Sequence, residues 1–332
     1  MLLTLDRLRP RRSLTGAMLT IGLVNNMPDA ALKTTEWQVR DLLSRAANGR
    51  AISLRVFALP EIPRSEAGRA YVQQHHEDIA RLWQDGIDGL IVTGTEPKAA
   101  RFEDEPYWPA LTRLIDWADE NTCSAVWSCL ACHAAAYRLD GIKRQKFARK
   151  IFGIFDCEKA ANHALVSGPP RWPTPHSRYN GVTERDLRDA GYRVLSRSEE
   201  AGVDIFVRKG RSLFVFLQGH PEYDATALFG EYRRDVRRFL CGEREEYPPL
   251  PRGYLSDEAT TMLQQFRMEA EEQRAPALLE QFPAAAIGRQ LTAPWRGAAA
   301  RIYGNWLTYL AEHRVRRFAH AGMPVSVVPT TA

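Results

Sequence analysis

Short apolar runs alternate with amphipathic stretches of helical period through the first half of this chain, and that alternation limits the folds open to it. Leu19 to Val24 reads as a buried strand, Thr34 to Ala47 as a helix and Ile52 to Ala58 as a second strand. Ala70 to Trp83 reads as one helix, and Gly89 to Thr93 as a strand that ends at Gly94. Trp108 to Glu120 places Leu111, Leu114, Ile115 and Trp117 on one helical face. Repeated strand–helix units predict an α/β fold with a doubly wound parallel sheet. In such sheets the ligand crevice lies outside the carboxyl ends of the strands. Asn25, Gly94, Cys129 and His220 each follow an expected strand, so all four converge on one rim.

Cys129 is the sharpest of these positions. The apolar run Ala125 to Ser128 breaks at the cysteine, and Ala131 to Leu139 is rich in helix formers. This reads as strand, sharp turn, helix, with a thiol on the turn. Such a turn lifts the side chain out of the sheet and aims it at the first amides of the next helix. Those amides and the helix dipole favour a thiolate. Farther on, Gly219-His220-Pro221-Glu222 follows the apolar run Leu213 to Leu217. A histidine at a strand end, with a carboxylate two positions on, supplies a base and the group that orients it. Together these residues read as a Cys129–His220–Glu222 nucleophilic triad. The bland alternatives are a buried structural cysteine, a structural histidine and a glutamate that merely caps the next helix.

Beyond Gly141 the pattern is less regular, with prolines at 169, 170, 173 and 175. Val203 to Val207 and Ser212 to Leu217 read as a hairpin, and Ala225 to Leu240 as a helix. Glu245 to Pro251 looks like a connector. Asp257 to Arg274 and Trp295 to His313 read as helices, with Met323 to Ala332 expected to fray. Residues 1–245 are therefore expected to form the catalytic α/β domain, and residues 246–332 a helical extension packing on it.

Composition bounds the function classes. The 332 residues include 45% hydrophobic and 26% charged, ordinary for a globular protein with a real core. The net charge of +5 is spread along the chain, so no nucleic-acid-binding arm stands out; an anionic substrate such as a coenzyme fits the same bias. Five cysteines in a long chain argue against a disulfide framework. Cys129 and Cys132 form one C-x-x-C, without the second pair a zinc site would need, so no metal is expected and Cys132 reads as a small buried residue. Arg7, Arg9, Arg11 and Arg12 precede the apolar stretch Ala17 to Val24, which is short, contains Thr20 and lacks a small-residue cleavage site. It reads as a strand rather than a signal peptide. No run approaches the roughly 18 apolar residues of a membrane span, and the expected location is the cytoplasm.

Several stretches resemble the homoserine O-acyltransferases of methionine biosynthesis, a family related to class I glutamine amidotransferases. They are Ile21 to Pro28, Gly89 to Gly94 with Tyr107-Trp108, Pro175 to Tyr179, Gly219 to Asp224 with Glu231 to Asp235, and Trp295-Arg296 with Gly304 to Leu307. The resemblance runs from about Thr20 to Glu312. It implies a flavodoxin-like, mostly parallel sheet of the class I amidotransferase type with a helical C-terminal extension. It also implies an acyl-coenzyme A donor, L-homoserine as acceptor, no further cofactor, no nucleic-acid or membrane partner, and a homodimer. Carried over residue by residue, the nucleophile falls on Cys129, the base on His220 and its partner on Glu222. Contacts to the amino acid fall on Lys150, Ser177 and Arg234, with Pro175 to Tyr179 as a substrate loop. The oxyanion hole falls on the Leu130 amide and on Lys33, which stands about two residues farther from Met27-Pro28 than the family's lysine. The position that sorts acyl donors falls on Lys98, whose charge favours succinyl over acetyl. The competing reading is a glutamine amidotransferase with the same triad, but Trp127 and Ala131 stand where that elbow prefers glycine.

Overall fold

The apolar run Leu19–Val24 forms β1, with Ile21, Leu23 and Val24 fully enclosed. In the computed structural model, which describes residues 18–320 and side chains as far as residue 314, this strand sits inside a nine-stranded sheet. The expectations for Arg7 to Arg12 and for Met323 to Ala332 fall outside the described residues. Four further strands run parallel in the same part of the sheet: β2 (Ile52–Phe57), β3 (Gly89–Val92), β4 (Ser124–Ser128) and β9 (Leu213–Leu217). Their order is β2-β1-β3-β4-β9. The direction of winding reverses between β1 and β3, where a crevice opens at the carboxyl ends.

Strand alternation sends successive side chains to opposite faces. On one face Leu90, Val92, Ala125, Trp127, Phe214 and Phe216 meet α4 (Trp108–Asn121) and α5 (Leu130–Asp140). On the other, Leu19, Ile21, Leu23, Ile91, Val126 and Val215 meet α1 (Leu32–Ala46) and α10 (Arg296–His320). Trp306 of α10 is 2% exposed and donates its indole N–H to Ser124 Oγ of β4 at 3.0 Å. The last helix is therefore built into the central sheet. A third apolar cluster joins α7 (Ala227–Leu240), α8 (Asp257–Glu272) and α9 (Ala284–Gly288) through Tyr232, Val236, Leu263, Phe266 and Trp295. No helix among the described residues is long and apolar enough to cross a membrane.

Two local expectations need correction. The stretch read as one helix from Ala70 to Trp83 is two, α2 (Glu66–His75) and α3 (Ile79–Gln84). Asp78 divides them, because its side chain accepts from the Ala80 N–H and starts α3 afresh. The irregular region after Gly141 holds β5 (Gln145–Lys159), β6 (Arg171–Gly181), β7 (Arg193–Ser198) and β8 (Gly202–Lys209), all antiparallel to their neighbours. Pro173 and Pro175 are tolerated because β6 is an edge strand, where a missing N–H leaves no ladder bond broken. The segment Pro175 to Tyr179 is thus strand, not loop.

Candidate active site

β4 delivers Cys129 to the rim. Cys129 has φ 52° and ψ −115°, a left-handed backbone that few residues other than glycine adopt. The Cys129 N–H donates to Leu217 O of β9 at 2.8 Å, which holds the turn. Leu130 then opens α5, so its amide is among the first-turn donors that lack an intrahelical acceptor. Ser128 is buried and Cys129 half-buried, at the wall of a cavity of about 820 Å³. Gly94 makes room for this turn. A Cβ on it would stand 2.8 Å from Leu130 Cβ and 2.9 Å from Leu130 N.

The end of β9 brings up the second group. His220 donates its backbone N–H to Pro175 O of β6 at 2.8 Å, which ties its loop to the edge strand. Its Nδ1 lies 2.8 Å from Glu222 Oε1, and the Cys129 sulfur lies within its hydrogen-bonding reach. Burial opposes the imidazolium, but the Glu222 carboxylate and the Cys129 sulfur outweigh it and hold the His220 pKa well above the usual value. Tyr223 stacks on the imidazole, with centroids 4.3 Å apart and planes 13° apart. This restricts rotation of the ring. The three residues read as a triad from sequence are thus in one line, Glu222 to His220 to Cys129.

One face of α7 forms the opposite wall. Glu231, Arg234, Asp235 and Arg238 recur at helical spacing and all line the cavity, while Tyr232, Val236 and Phe239 point into the core. Lys150 of β5 donates to Asp235 Oδ2 at 3.0 Å and to Glu231 Oε2 at 3.4 Å. Ser177 of β6 and Tyr223 donate to the two oxygens of Glu231. Arg234 reaches Glu231 Oε2 at 3.4 Å and Asp235 Oδ1 at 3.3 Å. Burial would raise the Glu231 pKa, yet Lys150, Arg234 and the two hydroxyl donors bring it below the ordinary carboxylate range. Two cations and two carboxylates therefore face one chamber beside the thiol.

The pattern of the homoserine O-succinyltransferase family matches residues 11–316. The chain belongs to the homoserine O-succinyltransferase family. It is 48% identical over 305 residues to a homoserine O-succinyltransferase of Bradyrhizobium japonicum, covering 91% of this chain and 93% of that protein. To the homoserine O-succinyltransferase of Methylorubrum extorquens it is 46% identical over 295 residues, covering 89% and 88%. Among solved structures it is similar to a glutamine amidotransferase from Thermotoga maritima, with a TM-score of 0.46, 14% identity, and 89% and 98% of the two chains covered.

In this member of the homoserine O-succinyltransferase family, two expected site residues stand away from the cavity. Lys33 is exposed on the first turn of α1, with its Nζ 5.1 Å from the centre of the Tyr71 ring, and it does not line the cavity. The turn Asp29–Ala31 sets it there: the Asp29 carboxylate is held by Arg64 and by the Ser65 N–H, which fixes the register of α1. Lys98 is exposed too. Its backbone N–H is bound to Glu105 Oε1 at 2.7 Å, which turns the loop outward after Glu96. Glu96 lines the cavity instead and pairs with Arg238 at 3.0 Å. Cys132 is fully buried, and burial followed by the nearby Cys129 pushes its thiol well up.

Sequence reasoning did not single out Glu231, Asp235, Tyr223 or Arg238 as site residues. The helical spacing of Glu231, Arg234, Asp235 and Arg238 was the available signal, since it places four of the six charges of α7 on one face. It also missed a cluster beneath the base. Cys157, His176 and Asp204 are buried, with ligand-type atoms within 4.8 Å of one another, and they form the one grouping among the described residues that could hold a metal ion. Arg178 opposes that use. Its Nε–H donates to His176 Nδ1 at 3.3 Å, which leaves the imidazole proton on Nε2, 3.5 Å from Asp204 Oδ1. Burial raises the Asp204 pKa to about 6 despite donors from Ser196 and Cys157. His176 Nε2 is buried without a hydrogen-bond partner, and the guanidinium in the same shell disfavours a cation there.

Proposed function

We propose that this enzyme moves an acyl group, succinyl in preference to acetyl, from acyl-coenzyme A to the side-chain hydroxyl of L-homoserine, by way of a thioester on Cys129. The observation that carries this reading is the Cys129–His220–Glu222 line on a strained turn, facing a chamber with paired cations and carboxylates. The names of the relatives support the acceptor and the succinyl donor.

His220 takes the Cys129 proton as the sulfur attacks the thioester carbonyl of the donor. The oxyanion that forms faces the Leu130 amide at the start of α5. Its collapse breaks the carbon–sulfur bond to coenzyme A, and His220 returns the proton to the departing sulfur. The homoserine hydroxyl then gives its proton to His220 and attacks the Cys129 thioester. The second collapse releases the O-acyl product and the Cys129 sulfur, to which His220 returns the proton. Two half-reactions through one covalent intermediate give ping-pong kinetics. Glu222 keeps the imidazole in the tautomer that leaves Nε2 free toward sulfur.

The acceptor is a zwitterion, and the chamber matches it. Arg234 offers a forked guanidinium to the carboxylate, with Lys150 and Ser177 beside it, while Glu231 and Asp235 suit the ammonium. Arg238 lines the cavity beside Glu96 of the expected donor-sorting loop, where Lys98 does not, and it suits the terminal carboxylate of a succinyl group. A cation for a terminal acyl carboxylate fits transfer better than glutamine hydrolysis, whose substrate ends its side chain in a neutral amide. Arg234→Lys should raise the KM for homoserine at least tenfold in a coenzyme A release assay with succinyl-coenzyme A. The rate of Cys129 acylation by the donor should change less than threefold. An unaltered acceptor KM would show that Arg234 only braces α7.

A further inference from the structure

The acyl-coenzyme A reading leaves the bulk of the donor unplaced, and a second cavity lies beside the first. It has a volume of about 730 Å³ and is walled by Arg101, Phe102, Tyr137, Lys143, Arg144 and Lys146, with Glu103 as its one carboxylate. Three segments of the chain contribute to both cavities. The loop after β3 lines the first cavity at residues 94–96 and the second at residues 100–103. β6 contributes Ser177 and Tyr179 to the first and Asn180 to the second, and β5 contributes Lys150 and then Lys146. Along α5, Tyr137 lies about 12 Å from the turn that carries Cys129, at ~1.5 Å per residue. The pantetheine arm of coenzyme A spans such a distance.

Arg101 is spent on the protein itself, but much of the remaining positive charge is not. Glu103 is engaged by Arg101 and by the Tyr137 hydroxyl. Lys143, Arg144 and Lys146 make no salt bridge to a described residue. Arg144 stands over the Phe102 ring, 4.4 Å from its centroid; its Nη2 reaches Ala100 O at 3.5 Å, while its Nη1 is buried with no hydrogen-bond partner. A buried guanidinium N–H left unpaired is costly and points to an acceptor that arrives from outside. Tyr137 presents a half-exposed ring that belongs to an aromatic group with Phe102 and Trp108. Cations for phosphate oxygens beside an aromatic face for a base are what a nucleotide requires.

We propose that this cavity binds the 3′-phosphorylated adenosine diphosphate end of the acyl-coenzyme A donor, with Lys143, Arg144 and Lys146 on its phosphates and Tyr137 against its adenine. The proposal rests on the acyltransferase reading above. The test compares two donors, succinyl-coenzyme A and the succinyl thioester of N-acetylcysteamine, which lacks the nucleotide. In the wild type, adenosine 3′,5′-bisphosphate should compete with succinyl-coenzyme A. The double substitution Lys143→Glu, Lys146→Glu lies on exposed side chains. It should lower the ratio of kcat/KM for succinyl-coenzyme A to that for the truncated thioester at least tenfold, and raise the inhibition constant of the bisphosphate by a similar factor. Arg144→Gln should act in the same direction. An unmoved ratio, or an equal loss with both donors, would overturn this site while Cys129 acylation by the truncated thioester kept the acyltransferase reading intact. Failure of both thioesters to acylate wild-type Cys129 would remove the two readings together.

Discussion

His220→Ala should lower kcat/KM for acyl transfer by about 10³-fold or more, because one imidazole serves as base and acid in both half-reactions. Glu222→Ala should cost about 10- to 100-fold. The imidazole would still reach Cys129, but it would lose the 2.8 Å bond that sets its tautomer and keep only the stacked Tyr223 ring to orient it. The double variant should be scarcely worse than His220→Ala alone, since a base and its orienter act as a unit. Steady-state kinetics on the three variants check this. Near-normal turnover in His220→Ala would show that the line Glu222–His220–Cys129 is not the reacting one.

The second large effect is steric. Gly94 passes so close to the start of α5 that an added methyl would lie 2.8 Å from Leu130 Cβ and 2.9 Å from Leu130 N, closer than carbon tolerates to backbone. Either β3 and its loop shift, or the turn at Cys129 does. Gly94→Ala should therefore destabilise the fold by about 1–3 kcal/mol, the usual cost of overpacking. It should also slow Cys129 acylation at least tenfold, because the Leu130 amide is displaced from the oxyanion position. Homoserine binding lies farther away, so the acceptor KM should change less than the acylation rate. Thermal unfolding combined with rapid-quench acylation separates the two effects. A variant as stable and as quickly acylated as wild type would mean that the loop yields freely and does not brace the turn.

Most of the parallel half of the sheet was legible because its inner strands are buried on both faces and read as largely apolar runs. Leu19–Val24, Gly89–Val92 and Leu213–Leu217 are examples. β2, with Ser53 and Arg55, is the half-buried edge. The antiparallel half was legible only in the hairpin of β8 and β9. β5 is largely polar at its start, and β6 carries two prolines, so neither shows the pattern of a central strand. The same region hid half of the chamber. Ser177, which lines the cavity, was singled out in the sequence, but its neighbours across α7 were not, since their meaning depends on which helix face turns toward β5 and β6. The turn at Cys129 was readable because strand end, cysteine and helix start are adjacent in sequence. Lys33 and Lys98 stand away from the cavity for the converse reason. Each lies in a turn whose direction is set by a distant carboxylate contact, Arg64 on Asp29 in one case and Glu105 in the other.

The central claim is that Cys129 carries the acyl group, and intact-protein mass spectrometry after brief incubation with succinyl-coenzyme A, without homoserine, tests it most directly. The account predicts one added succinyl mass, mapped to the peptide that holds Cys129 and discharged when homoserine is supplied, with no such adduct on Cys129→Ala. Full acylation of Cys129→Ala, or an adduct that homoserine does not discharge, would contradict it.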